Sequence, residues 1–159
     1  MYIDTLYRGI KKQNYLNSEW VEGYLAKGIF GARTAEGPDE HWCIIRNEEV
    51  LTDHGNEYSL RAYEISKYTI SKFTGYVDKN KNKIWTDSIV KITCSNDDFA
   101  LPCRYYLVTF DEESKKYILQ NMHDNTGYHG LLDILMFSTY TYTLEVVGDL
   151  NHDSSLLHE

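Results

Sequence analysis

Apolar and aromatic residues recur along this chain in short runs, and few windows hold them at i, i+3, i+4 and i+7 through three helical turns. β-Branched and aromatic residues dominate the runs, and such side chains pack well on a pleated surface. The pattern predicts a mainly β fold. Strands are expected at Trp20–Leu25, Trp42–Arg46, Ile84–Trp85, Ser88–Cys94, Arg104–Phe110, Tyr117–Met122 and Thr141–Val147. Polar clusters separate them at Gln13–Ser18, Glu36–Asp39, Asp53–Asn56, Ser95–Asp98 and Asp111–Ser114. The last cluster joins its two neighbours as a hairpin. Side chains alternate along a strand, so Tyr106, Val108 and Phe110 share one face while Tyr105, Leu107 and Thr109 share the other. The run Leu131–Phe137 is too short to reveal its period and is read as a short helix. Short strands turned about every eight to twelve residues suggest a small barrel or a pair of sheets. With no internal repeat or linker, residues 1–159 are read as a single domain.

Composition narrows the class further. A chain of 159 residues buries about two-thirds of its unfolded surface, enough for a core of its own. Apolar residues make up 42%, with two Pro and ten Gly, which excludes collagen-like and low-complexity chains. No apolar run approaches the ~18 residues of a membrane span. The opening Met1-Tyr2-Ile3-Asp4 has neither the basic nor the apolar part of a signal peptide. The expected location is therefore the cytoplasm, with no membrane partner. Three cysteines, Cys43, Cys94 and Cys103, form no C-x-x-C pair; this argues against a disulfide framework or zinc knuckle and fits a reducing compartment.

The formal charge of −8 is unevenly distributed. Between Lys67 and Lys91, six lysines face only Asp78 and Asp87, leaving the remainder of the chain strongly acidic. This stretch also holds Tyr68, Phe73, Tyr76 and Trp85, the residue types that neutralise phosphates and stack on bases. A nucleic-acid surface built from Lys72, Tyr76, Lys79, Lys81, Lys83 and Trp85 is thus one reading. Against it, surrounding acid repels a polyanion, and lysines commonly keep a sheet edge soluble.

Sites for chemistry are weakly marked. Asp78-Lys79-Asn80-Lys81-Asn82 begins like a calcium loop, but Lys83 stands where that loop needs Gly and Ile89 where it needs a bidentate Glu. His123, Asp124 and His129 are metal-ligand types without a diagnostic spacing. No G-x-S-x-G nucleophile elbow and no G-x-x-x-x-G-K-[ST] phosphate loop is present. The acid pairs Asp97-Asp98 and Glu112-Glu113 lie in expected turns, open to water and without the dry environment that makes a carboxyl a general acid. The chain is read as non-enzymatic, with no metal or cofactor. Fourteen tyrosines leave a different possibility, since a Tyr-rich sheet face serves as readily for binding as for packing; a pair such as Tyr140 and Tyr142 supports binding if both share one exposed face.

Three segments, in order, resemble the YopX family of phage and prophage proteins. The first is Tyr7-Arg8-Gly9 followed by Trp20-Val21-Glu22-Gly23; the second runs from Ile70 through Thr74-Gly75 and Asp78 to Ile84-Trp85 and Ile89-Val90; the third is Glu145-Val146-Val147-Gly148 with Leu156-Leu157. The residues that carry the resemblance, Trp20, Gly23, Thr74, Gly75, Asp78, Ile84, Val90, Glu145 and Gly148, are read as structural. Lys81 occupies the family's turn glycine, which suggests that Asn80 or Asn82 takes the left-handed position. Asp87-Ser88 replace a Gly-Asp pair, and Asp149 and Ser154 replace Asn and Pro. The resemblance implies an SH3-like barrel with additional hairpins and at most short helices, a phage or prophage origin, and no established activity. The favoured reading is a module that binds an unknown protein or itself, as a possible homo-oligomer; nucleic-acid binding by residues 67–91 is the alternative.

Overall fold

The computed structural model describes residues 5–12, 19–29, 40–94, 105–121, 129–131 and 142–158. Eleven strands account for most of them: β1 (Tyr7–Ile10), β2 (Trp20–Ile29), β3 (Glu40–Thr52), β4 (Gly55–Ile65), β5 (Ser71–Val77), β6 (Lys83–Trp85), β7 (Ser88–Cys94), β8 (Tyr105–Asp111), β9 (Lys116–Gln120), β10 (His129–Leu131) and β11 (Tyr142–Asp149). Short 3₁₀ turns occupy Lys67–Thr69 and Ser154–His158. The mainly β expectation holds. Among the described residues there is no α-helix and no sheet closed into a barrel. The expected helix at Leu131–Phe137 begins on the last residue of β10, and residues 132–137 lie outside the described set. The chain packs as two compact units, residues 1–72 and 73–159.

In the first unit the strands follow the order β4-β3-β2-β1, with Tyr7 and Arg8 of β1 paired antiparallel to Lys72 and Ser71 at the start of β5. Val21, Ile44 and Ile65 are fully buried at its centre, with Tyr7, Leu25, Trp42, Tyr63 and Ile70 packed around them. Burying each aliphatic side chain contributes roughly 1.5–3 kcal/mol. Gly23 lets β2 and β3 approach closely: a Cβ there would lie 2.4 Å from the Ile45 carbonyl oxygen and 2.8 Å from Ile44 Cγ2. β3 and β4 form a hairpin eleven pairs long, closed by the two-residue loop Asp53-His54. Strand β3 greatly exceeds the expected Trp42–Arg46, and β1, β4 and β5 had no counterpart among the expected strands. β4 was hidden because most of it is exposed on both faces and therefore lacks the apolar alternation that marks a half-buried strand.

The second unit contains a sheet in the order β10-β9-β8-β7-β11, and the remainder of β5 pairs with β6. The expected β8–β9 hairpin is present, with Phe110 opposite Tyr117 and Asp111 opposite Lys116. Tyr106 and Val108 point from β8 into a core with Ile84, Val90, Ile92, Leu119 and Leu144. On the opposite face of β8, Leu107 packs with Ile89 and Leu157, the last supplied by the C-terminal 3₁₀ turn. Both faces of this strand are therefore covered.

Candidate interaction surface

Register decides which side chains share a face of the first unit's sheet. Ile44 lies opposite Tyr63, so the core face carries Ile44, Tyr63 and Ile65, and the neighbouring positions turn the other way. Those positions bring Tyr24, Ile45, Leu51, Tyr58 and Leu60 onto one outer face, because Tyr24 pairs with Ile45 while Leu51, Tyr58 and Leu60 share the same parity of the β3–β4 ladder. Tyr24 is 54% exposed, Leu51 81%, Tyr58 78% and Leu60 72%. An apolar stripe this exposed is a feature of surfaces that meet a partner. Nothing in the sequence marked it, because Tyr24 and Leu60 are 36 positions apart and only the pairing aligns them.

The polar groups near this sheet are largely engaged. Lys12 Nζ lies 2.7 Å from Glu64 Oε1, which also meets His41 Nδ1 at 2.8 Å. These bonds, from Lys12 first and His41 second, hold the Glu64 carboxyl below its ordinary pKa despite partial burial. On the core side, Arg46 Nε donates to Glu48 Oε1 at 2.6 Å. A cleft of about 280 Å³ opens beside Lys12, Trp42, Ile65, Ser66, Lys67 and Tyr68. Cys43 of β3 is half-buried; burial, followed by the charge of Glu64, pushes its thiol pKa up and keeps it a weak nucleophile.

The basic-aromatic segment is divided between the two units at Lys72–Phe73. Lys72 is half-buried on β5. Lys79 Nζ forms a 2.6 Å ion pair with Glu145 Oε2, and this bond is the leading cause of a lowered Glu145 pKa. Lys91 lies opposite the same Glu145 in the β7–β11 register. Lys83 Nζ sits 5.7 Å from the centre of the Trp85 ring, and that ring is only 3% exposed. Tyr76 packs partly buried against the second unit's core. Lys81 is exposed in the turn. A stacking platform requires open rings, and Trp85 spends its ring on the interior, tilted against Phe73 at 5.5 Å.

Asp78 is the polar centre of this turn. Oδ1 accepts the backbone N–H groups of Asn80 and Asn82, each at 2.8 Å, while Oδ2 accepts Asn82 Nδ2 at 3.1 Å and the Val146 N–H at 2.9 Å. Burial opposes ionisation, but the four donors outweigh it and hold the carboxyl below its ordinary pKa. A carboxylate surrounded by N–H donors is a turn anchor, and its oxygens are directed at hydrogens where a calcium loop directs them at the ion. Lys81 itself takes the left-handed conformation, with φ of 69°, correcting the expectation that Asn80 or Asn82 would do so. Both asparagine N–H groups are committed to Asp78, and the Lys81 N–H donates to the Asp78 carbonyl at 3.1 Å, so the bend falls on the residue between them.

The other motif residues have equally local roles. Trp20 lies under the Arg8 guanidinium at 4.1 Å. Buried Thr74 donates its hydroxyl to the Ile84 carbonyl at 2.8 Å, and Gly75 follows with φ of 89°. Ile84 and Val90 are fully buried. At Gly148, after a bulge in β11, a Cβ would meet Asp153 Oδ2 at 2.5 Å. Glu112 and Glu113 are solvent-exposed in the β8–β9 turn, and Tyr142 is partly buried. Tyr140, Asp97-Asp98, Cys103, His123 and Asp124 lie outside the described residues, as do the side chains of Cys94 and His129. Among the described residues, no group of three His, Cys, Asp or Glu side chains is placed to hold a metal ion, and no helix is long and apolar enough to cross a membrane.

No curated protein matches the chain. A family model described as YopX protein matches residues 33–158, which include the second and third of the resembling segments, the whole β3–β4 hairpin but neither β1 nor β2, and the whole second unit except its last residue. The Asp78 turn, the Thr74–Ile84 bond and the Gly148 bulge all lie within that match, and the chain belongs to the YopX family.

Proposed function

We propose that this protein is a non-enzymatic interaction module that binds a protein partner through the outer face of the β3–β4 hairpin. The observation that carries this reading is the exposed stripe of Tyr24, Leu51, Tyr58 and Leu60 on one side of a regular sheet. Large rings and aliphatic side chains held on a paired backbone lose little conformational entropy when a partner covers them. The family relationship is compatible with this reading and assigns no activity.

The test compares the wild-type chain with a Leu51→Ser, Tyr58→Ser, Leu60→Ser variant. Size-exclusion chromatography with light scattering and affinity capture from lysate are run on both, with circular dichroism to confirm equal folding. Association that the wild type shows and the variant loses supports the reading. A wild type that is monomeric and captures nothing, or a variant that associates equally well, overturns it.

A further inference from the structure

Strand β4 lies at the end of its sheet. Its final residues are tied down: Lys12 N–H donates to the Glu64 carbonyl at 3.0 Å, Ser66 N–H donates to the Ile10 carbonyl at 3.0 Å, and Lys11 bridges to Ile65. From Gly55 to Tyr63, no strand among the described residues pairs with the outer edge. The direction of the Glu64 carbonyl shows that even-numbered positions turn their backbone groups outward, since these alternate along a strand. Asn56, Tyr58, Leu60 and Ala62 thus present N–H and C=O groups on an open edge, the arrangement that accepts another strand.

We propose that the occupant is a second copy of β4, paired antiparallel about a two-fold axis at Ser59; this rests on the proposed interaction role and names its partner. In that register Tyr58 of one copy lies opposite Leu60 of the other, and Glu57 lies opposite Arg61, with each pairing made twice. The backbone parity agrees. Tyr58 and Leu60 are outward-facing positions, so they exchange main-chain hydrogen bonds, whereas Glu57 and Arg61 fall at the alternate positions, where facing side chains come closest. An isologous interface must be self-complementary, and this one sets acid against base and ring against aliphatic side chain.

The charges single out the register. An axis at Glu57 or at Arg61 sets like charges against each other, and an axis at Tyr58 or at Leu60 leaves both Glu57 and Arg61 facing uncharged residues. Within the chain the two residues are poorly served: Glu57 stands opposite Val50, and Arg61 stands opposite Arg46, whose guanidinium is bound to Glu48. Pairing through β4 gives each an opposite charge while it joins the two outer apolar faces side by side.

The experiment is sedimentation equilibrium of the full chain, with Glu57→Arg, Arg61→Glu and the double exchange. The wild type is expected to dimerise. Each single exchange places like charges at both contacts and weakens the dimer about tenfold. The double exchange restores it, and mixing the two single variants produces a heterodimer stronger than either homodimer. A wild type that remains monomeric at its highest soluble concentration overturns self-pairing, as does a dimer insensitive to both single exchanges. The broader interaction reading fails separately: it falls when the wild type neither self-associates nor captures a partner, or when the Leu51, Tyr58 and Leu60 variant leaves every association intact, whereas a monomeric wild type whose partner capture is lost in that variant assigns the face to a foreign protein.

Discussion

At the scale of single residues, the Asp78 turn shows how one carboxylate organises four donors. Asp78→Asn keeps one acceptor oxygen but turns an NH₂ group toward donors, either Asn82 Nδ2 and Val146 N–H or the N–H groups of the turn. We expect a loss of about 1.5–3 kcal/mol in urea unfolding, the range for hydrogen bonds to a charged group. The pH dependence has a definite sign. Because the folded pKa is depressed, the contribution is complete above the unfolded value of about 4 and disappears as the pH falls through the lower folded value. Acid titration of stability in the wild type and Asp78→Asn will show it as a component absent from the variant; parallel curves would remove Asp78 as its source. Lys81 is a second point of leverage. A side chain in the left-handed region costs about 1 kcal/mol, part of which glycine returns through its greater freedom when unfolded. Lys81→Gly should therefore stabilise the chain by a few tenths to about 1 kcal/mol, and a destabilised variant would show that the lysine side chain contributes more than the backbone strain removes.

Among the elements, the β2–β3 contact leaves no room for a side chain at Gly23. A methyl group at Gly23 meets the Ile45 backbone rather than a movable side chain, so the strands must separate. Gly23→Ala is expected to cost about 1–3 kcal/mol, the usual range for overpacking, as measured by thermal or urea unfolding. A neutral effect would mean that the two strands slide apart freely. The β8–β9 hairpin was legible in the sequence because its apolar alternation and acidic turn lie within one short segment. β4 was not legible. Its Tyr58 and Leu60 face water, so burial left no periodic trace, and its existence depends on the ladder that β3 provides.

For the molecule as a whole, charge is the property that sequence and structure divide between them. The net −8 was plain from composition, as was the basic stretch within it. Only coordinates reveal that Lys79 is paired with Glu145 and that Trp85 is interior. Labelled single-stranded DNA or RNA is accordingly expected to show no retained complex at physiological salt in a mobility-shift assay. A complex that weakens steeply with added salt would restore the polyanion reading. The family was likewise readable from residues such as Thr74, Gly75, Asp78 and Gly148, because tight turns and close approaches demand particular residue types locally. By itself, then, the sequence determined the β class, most of the reversals and the family. The tertiary structure alone decided which aromatic residues face water, how the two units are divided, and which strand is left with an open edge. Alternation along a strand is a local property, whereas burial of either face depends on partners far away in the chain.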